Sequence, residues 1–162
     1  MPKNNRSKVL VAADYFIKKQ EADPKGQLTN KKLQKLLYYS QAWSLVLKNK
    51  ALFPDEIEAW VHGPAIPVVY DVFKEFGRGD INGVSIDSSE FSALDESERG
   101  VLDMVWNIYG KYDGDYLEAL SHSEEPWQKA REGLETFEIS KAVIPQDSMR
   151  VYYERKLKEA QG

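Results

Sequence analysis

The sequence predicts a mostly α-helical fold, a single compact domain of six or seven helices with at most a short β-strand or hairpin near residues 51–62. Apolar residues recur at three- and four-residue spacing through most of the chain, the pattern of one face of an α-helix. Helix-capping residues and Gly or Pro breaks divide this pattern into segments of helical length. No repeat or low-complexity linker interrupts the 162 residues. One domain over residues 1–162, with a core of about 7–155, is therefore expected.

The amino-acid composition argues against several classes of protein. Hydrophobic residues make up 42% and aromatic residues 12% of the chain, which favours an ordered globule. The absence of cysteine excludes disulfides and thiolate zinc sites. A net charge of −4 argues against binding to nucleic acid or to an anionic membrane. No signal-peptide pattern and no run of about 18 apolar residues is present, so a cytoplasmic protein is expected.

The first helix is predicted over Ser7–Gln20, with Ser7 as its N-cap. Its apolar residues lie at helical spacing, and Asp23-Pro24-Lys25-Gly26 then breaks the chain.

The second helix, beginning after Thr29 as N-cap, is predicted to be the central one because it is apolar on more than one face. Lys31 and Lys32 lie in its first turn, where the helix dipole disfavours cations, so salt-bridge partners are expected for them. Together with Lys35, they are expected on a solvated helix face. The main apolar stripe consists of Leu33, Leu36, Leu37, Ser40, Trp43, Ser44 and Leu47.

A short strand is predicted over residues 57–62, where Ile57, Ala59 and Val61 alternate with other side chains. Gly63-Pro64 is expected to end the strand, and Pro67 to lie in the first turn of a new helix. That helix is expected to end before Gly77 and to bury Val69, Val72, Phe73 and Phe76.

The C-terminal half begins with a predicted loop, residues 77–92, with a short extended piece at 84–86. Asp95 and Glu98 form a capping box for a helix that Gly110 closes. Asp113 caps a short helix, Pro126 starts another helical turn, and a last helix is predicted over Asp147–Lys158. The side chains expected to face inward are Val101, Leu102, Val105, Ile108, Tyr109, Tyr116, Leu117 and Leu120. Trp127 and Ala130 lie on the turn that Pro126 starts, and the last helix has Met149, Tyr152, Tyr153 and Lys156 on one side.

The sequence carries no catalytic pattern. His62 and His122 are the two histidines, and they lack the spacing of a metal-binding motif. Nucleophile elbows and phosphate-binding glycine loops are absent. The connection of residues 21–28 is too long for a DNA-binding helix-turn-helix. No enzymatic activity, cofactor, metal or nucleic-acid partner is therefore expected, and the residues favour a protein-binding module.

Several motifs occur in an order that resembles the Panacea domain, the SocA-like antitoxin family of bacteria and phages. They are Leu28–Tyr39, Leu52-Phe53, Glu58–Pro64, Tyr70 and Ser121–Trp127. Two residues depart from the family pattern: Ala65, where a larger aliphatic residue is usual, and His62, where an aromatic residue is common.

The resemblance implies an antitoxin that neutralises a cognate protein toxin by direct binding, with different members facing unrelated toxins. An adaptor that delivers the toxin to a protease is an alternative. So is a phage or mobile-element protein with an enzymatic or metal-binding role through His62 and His122. The residues expected in the toxin-binding surface or the family motif are Lys32, Lys35, Tyr39, Trp60, His62, Gly63, Pro64, Tyr70, His122, Pro126 and Trp127.

The hypothesis for the site is that two rigid corners adjoin each other around the central helix. One corner is His62-Gly63-Pro64, and the other joins His122 to Pro126-Trp127. The surface that they build, or one beside it, would contact the toxin, because tryptophan and tyrosine are favoured interface anchors.

Overall fold

Helices dominate the computed structural model, which describes residues 7–84 and 94–162. Within these residues there are seven α-helices, one two-stranded antiparallel sheet and a short 3-10 helix, Lys74–Phe76, so the mostly helical fold class is confirmed. The elements are α1 (Lys8–Glu21), α2 (Asn30–Lys48), β1 (Glu58–Trp60), β2 (Gly63–Ala65), α3 (Pro67–Phe73), α4 (Glu96–Tyr109), α5 (Gly114–His122), α6 (Glu125–Ala130) and α7 (Gln146–Gln161).

The second helix, α2, is central, as predicted. It contacts α1, α3, α4, α5, α7 and β2, and most of its side chains are buried on every side. The prediction that Leu47 belongs to its inward stripe is wrong, since this side chain is 48% exposed. Leu47 lies in the last turn of α2, where the surrounding helices no longer cover that face.

The predicted helix starts are largely confirmed. The hydroxyl of Thr29 accepts a hydrogen bond from the Lys32 backbone, and Asp95 and Glu98 form the reciprocal capping box. Asp113 accepts from the Tyr116 backbone at the start of α5. Ser7 occupies the N-cap position of α1, but its side chain makes no capping hydrogen bond.

The predicted strand is part of a hairpin that extends past residue 62. Trp60 pairs with Gly63, and Glu58 pairs with Ala65. The expectation that Gly63-Pro64 ends the strand region is therefore wrong: residues 61 and 62 make the turn, and Gly63 begins β2 with a φ of 107°. Glycine tolerates that backbone conformation, which side-chain-bearing residues rarely adopt.

A third extended segment flanks the other edge of β1. The Ala59 amide donates to the Ala142 carbonyl at 2.8 Å, and the Ile144 amide donates to the Ile57 carbonyl at 2.8 Å. Strand β1 is thus paired on both sides, which satisfies its backbone groups.

Besides Leu47, three of the side chains predicted to face inward are exposed: Val72, Ile108 and Tyr116. Short helices at the periphery bury only a narrow stripe, which in α3 consists of Val69 and Phe73. Tyr116 instead stacks on Tyr112 at the surface, with ring centroids 4.1 Å apart.

Part of the predicted loop at 77–92 is described. The Ile81 amide donates to the Leu28 carbonyl, and Asp80 accepts from the Leu28 amide, each at 2.8 Å, so this stretch is attached to the segment before α2. The extended piece expected at 84–86 falls largely within residues 85–93, outside the described residues.

Candidate protein-binding site

Two buried glutamine side chains on α2 position the irregular segment that leads into the hairpin. The Gln41 side chain accepts from the amides of Leu52 and Phe53 and donates to the Phe53 carbonyl. About two helical turns earlier, Gln34 accepts from the Ile66 amide at 2.7 Å. Backbone groups outside helices and sheets need such partners when they are buried. The two glutamines thus fix both ends of the segment 52–66 on α2.

Lys35 supports the middle of the same segment. Its ammonium nitrogen donates to the Pro64 carbonyl at 3.2 Å, and its side chain is packed against Gly63. The expectation of a solvated lysine face is wrong for Lys35 and Lys32, which are 2% and 3% exposed. Burial lowers the pKa of Lys35 from its ordinary value of 10.5 to about 7.

This lowered pKa predicts a pH-dependent stability. Between about pH 7 and 10.5 the unfolded chain binds more protons than the folded chain at Lys35, so stability should rise with pH in that window. Urea unfolding of wild type and Lys35→Met checks this. The unfolding free energy of the wild type, relative to that of the variant, should increase by roughly 2–3 kcal/mol from pH 6 to pH 9.

The matched control for this prediction is Lys25→Met, because Lys25 is an exposed lysine. Its effect on unfolding should be the same at both pH values. A Lys35→Met difference that does not vary with pH would show that Lys35 is as easily charged in the fold as in water.

Charged groups line the solvent side of this corner. Lys31 pairs with Glu118 at 2.6 Å and with Asp115 at 3.0 Å, so its expected salt-bridge partners are present. His62 lies 3.2 Å from the second oxygen of Glu118 and is largely exposed. Lys32, in contrast, is buried and donates to the Gly110 carbonyl at 2.7 Å. The solvent side of the corner therefore exposes His62, and Glu118 holds the imidazole in position.

The second corner, His122 with Pro126-Trp127, packs against the hairpin. His122 stacks on Trp127, with ring centroids 3.9 Å apart, and the Trp127 indole donates to the Trp60 carbonyl at 2.8 Å. Partial burial lowers the pKa of His122. The His122 ring thus acts as a neutral packing element between the α5 end and the hairpin turn.

Trp60 and Tyr70 form an aromatic pair on the outer side of the hairpin. Their rings meet edge to face at 5.1 Å, and the Trp60 indole donates to the Glu58 carboxylate at 2.8 Å. Tyr70 is 40% exposed and Trp60 is half-buried, outside the hydrophobic core. Trp127, in contrast, packs against that core. The pair is therefore available to a partner in a fixed geometry.

Tyr39 belongs to a buried network instead. Its hydroxyl donates to Glu124 at 2.7 Å, and the Tyr153 hydroxyl donates to the same oxygen at 2.8 Å. Tyr38 and Tyr153 share a further hydrogen bond at 2.9 Å. Burial raises the pKa of Glu124, although the tyrosine hydroxyls oppose this. The network joins α2, α7 and the start of α6; sequence reasoning missed Glu124 because its partners lie far along the chain.

Burial divides the predicted site residues into two groups. The exposed or half-buried group comprises Trp60, His62, Tyr70, His122 and Trp127. The buried group comprises Lys32, Lys35, Tyr39, Gly63, Pro64 and Pro126.

Arg131 is a further structural residue that the sequence prediction missed. This buried side chain donates to the Ala59 carbonyl at 2.9 Å and to the Glu138 carbonyl at 2.6 Å, and its guanidinium lies over the Trp127 ring. It joins β1 to the loop after α6. No local pattern could reveal this, because the carbonyls that it binds are 72 residues before it and several residues after it.

Residues 7–84 and 94–162 contain neither a cluster of metal-ligating side chains nor a helix that could span a membrane. No group of three or more His, Asp or Glu side chains there is arranged to hold a metal ion. No helix in the same ranges has both the length and the apolar character needed to cross a bilayer.

Comparison with known proteins identifies the family. The model of the family described as "Antitoxin SocA-like, Panacea domain" matches residues 33–128. The antitoxin SocA of Caulobacter vibrioides (strain NA1000 / CB15N) is 32% identical over 115 residues, which cover 65% of this chain and 61% of that protein. The match thus spans about three-fifths of the relative's length. No solved structure matches. The matched range contains most of α2, the hairpin and both corners, and the chain belongs to the Antitoxin SocA-like, Panacea domain family.

Proposed function

We propose that the chain is an antitoxin that neutralises a cognate protein toxin by binding it directly. Membership of the SocA-like family, together with the similarity to a protein named as an antitoxin, carries this proposal. Neutralisation by binding needs a preformed surface and no catalytic group. The site described above has that character, since its buried polar side chains hold the hairpin rigidly on α2.

The contact surface that we propose is the outer side of the hairpin, with Trp60, Tyr70 and His62. Partly exposed aromatic side chains on a rigid backbone lose little conformational entropy on binding and are common hot spots. The edge-to-face contact of Trp60 with Tyr70 and the contact of His62 with Glu118 at 3.2 Å fix these side chains before a partner arrives.

The test is co-expression with the product of the gene adjacent to the one that encodes this chain. Induction of that product alone should stop growth, and co-expression of the chain should restore it. Growth arrest that the chain leaves unrelieved would reject the proposed function. The toxin level, measured in the same cultures, should stay unchanged if binding alone neutralises it. A fall in that level that vanishes in a protease-deficient host would instead indicate a proteolytic adaptor.

The contact residues are tested by the double variant Trp60→Ser/Tyr70→Ser. Loss of two aromatic anchors should weaken toxin binding by roughly 2–4 kcal/mol and abolish growth rescue, while the circular dichroism spectrum stays that of the wild type. Ile108→Ser is the matched control, because Ile108 is a similarly exposed apolar residue on α4. Equal rescue by the double variant and the control would place the contact elsewhere.

A further inference from the structure

The loop between α6 and α7 exposes two large apolar side chains almost completely. Phe137 is 80% exposed and Ile139 is 86% exposed, the highest values for large apolar residues in residues 7–84 and 94–162. A single exposed apolar residue is ordinary, but here two such residues lie two positions apart on one loop, and we call the pair the apolar projection.

Fixed hydrogen bonds hold this loop in place. The Arg131 guanidinium donates to the carbonyls of Glu135, Thr136 and Glu138, and the Leu134 amide donates to the Arg131 carbonyl at 3.0 Å. The Glu138 side chain also accepts from the Glu135 amide at 3.2 Å. A loop fixed in this way presents its side chains with little further loss of entropy on binding.

Negative charge surrounds the apolar projection. Glu132, Glu135 and Glu138 are all exposed, and none of them forms an ion pair within the described part of the chain. Three like charges around two apolar side chains complement a pocket that is apolar at its centre and basic at its rim. The partner that this chemistry fits is therefore a basic protein surface.

The loop that carries the projection is joined to the hairpin. Arg131 binds both the Ala59 carbonyl and the loop carbonyls, so the loop lies beside β1. Val143 is bridged to Glu58, which places their side chains on one face of the sheet, and Trp60 is on that face as well. A single partner can thus contact Trp60 and the loop together.

The loop lies beyond the part of the chain that the family model matches, which ends at residue 128. We propose that residues 132–139 are the partner-specificity element of this antitoxin, with Phe137 and Ile139 inserting into an apolar pocket on the toxin and the three glutamates meeting its basic rim. This inference rests on the proposed function and adds the chemistry of the partner surface.

The test is the affinity of purified chain for the purified product of the adjacent gene, measured with two variants. Phe137→Ser/Ile139→Ser should weaken binding at least about 30-fold. Glu132→Gln/Glu135→Gln/Glu138→Gln should slow association about tenfold at low salt and have little effect at high salt. Val151→Ser, at a 63% exposed position on α7, should bind as the wild type does.

Each outcome decides one proposal. If wild type binds and Phe137→Ser/Ile139→Ser binds equally well, the specificity element is rejected and the proposed function stands. If wild type itself does not bind, the proposed function is rejected, and this inference with it. Sedimentation of the chain alone should show no dimer that depends on Phe137 and Ile139. A wild-type dimer that is lost in Phe137→Ser/Ile139→Ser would show that the loop contacts a second copy of the chain and would overturn the inference.

Discussion

Gly63→Ala is expected to destabilise the fold by roughly 3–5 kcal/mol, because two costs add at this position. The first is conformational, since the φ of 107° disfavours any residue with a Cβ. The second is steric. A Cβ at Gly63 would lie 2.4 Å from the Cε of Lys35 and 3.1 Å from the hydroxyl of Ser121, both of which are buried. Urea unfolding measures the sum.

Gly133→Ala is the matched control for Gly63→Ala. Gly133 also has a positive φ, 86°, but open space surrounds the position of its missing Cβ. Only the conformational cost of roughly 1–3 kcal/mol should appear there. If both alanines destabilise the fold equally, the close approach of Lys35 to Gly63 adds no steric cost. Lys35 would then not hold the corner rigidly in place.

Arg131→Met is expected to destabilise the fold by roughly 3 kcal/mol, because it leaves the Ala59 carbonyl and the loop carbonyls without their donor. The methionine keeps apolar contact with Trp127 but cannot donate a hydrogen bond. Arg131→Lys should restore little of the loss, since a single ammonium cannot reproduce the planar guanidinium that reaches β1 on one side and the loop on the other.

Amide hydrogen exchange measures the local effect of Arg131→Met on the loop after α6. Amides at 134–138 should exchange faster in the variant, whereas amides in α2 should keep the order of protection that they have in the wild type. Arg150→Met, at a more exposed arginine on α7, is the control and should change stability by less than about 0.5 kcal/mol. Unchanged protection of the loop in Arg131→Met would contradict the role assigned to this arginine.

Much of the fold could be predicted because its signals are local. The capping box of Asp95 with Glu98 marks a helix start within four residues, and the apolar surface around α2 indicates that other helices enclose it. The resemblance to the Panacea domain was likewise carried by short motifs, and the family model confirms it over residues 33–128.

The buried polar residues of α2 could not be predicted from such signals. Lys35, Gln34 and Gln41 occupy helical positions at which a polar side chain normally indicates solvent. They are buried because the irregular segment 52–66 needs hydrogen-bond partners, and that need arises only when the segment packs on α2. Tertiary contacts, rather than helical periodicity, therefore decide their burial.

The outward surface was equally hard to foresee. Aromatic residues such as Trp60 and Trp127 occur in cores and at interfaces alike, and only the packing separates them. Trp127 is covered by His122 and Arg131, whereas the Trp60 ring contacts Glu58 and the exposed Tyr70. The loop with Phe137 has no periodicity, so nothing local distinguishes it from an ordinary connection.

Direct binding of purified chain to the purified product of the adjacent gene, with no protease present, tests whether binding alone neutralises the toxin. We expect a complex that survives gel filtration and in which the toxin is inactive. Trp60→Ser/Tyr70→Ser should weaken this complex. A toxin that remains fully active in the presence of saturating chain would contradict neutralisation by direct binding.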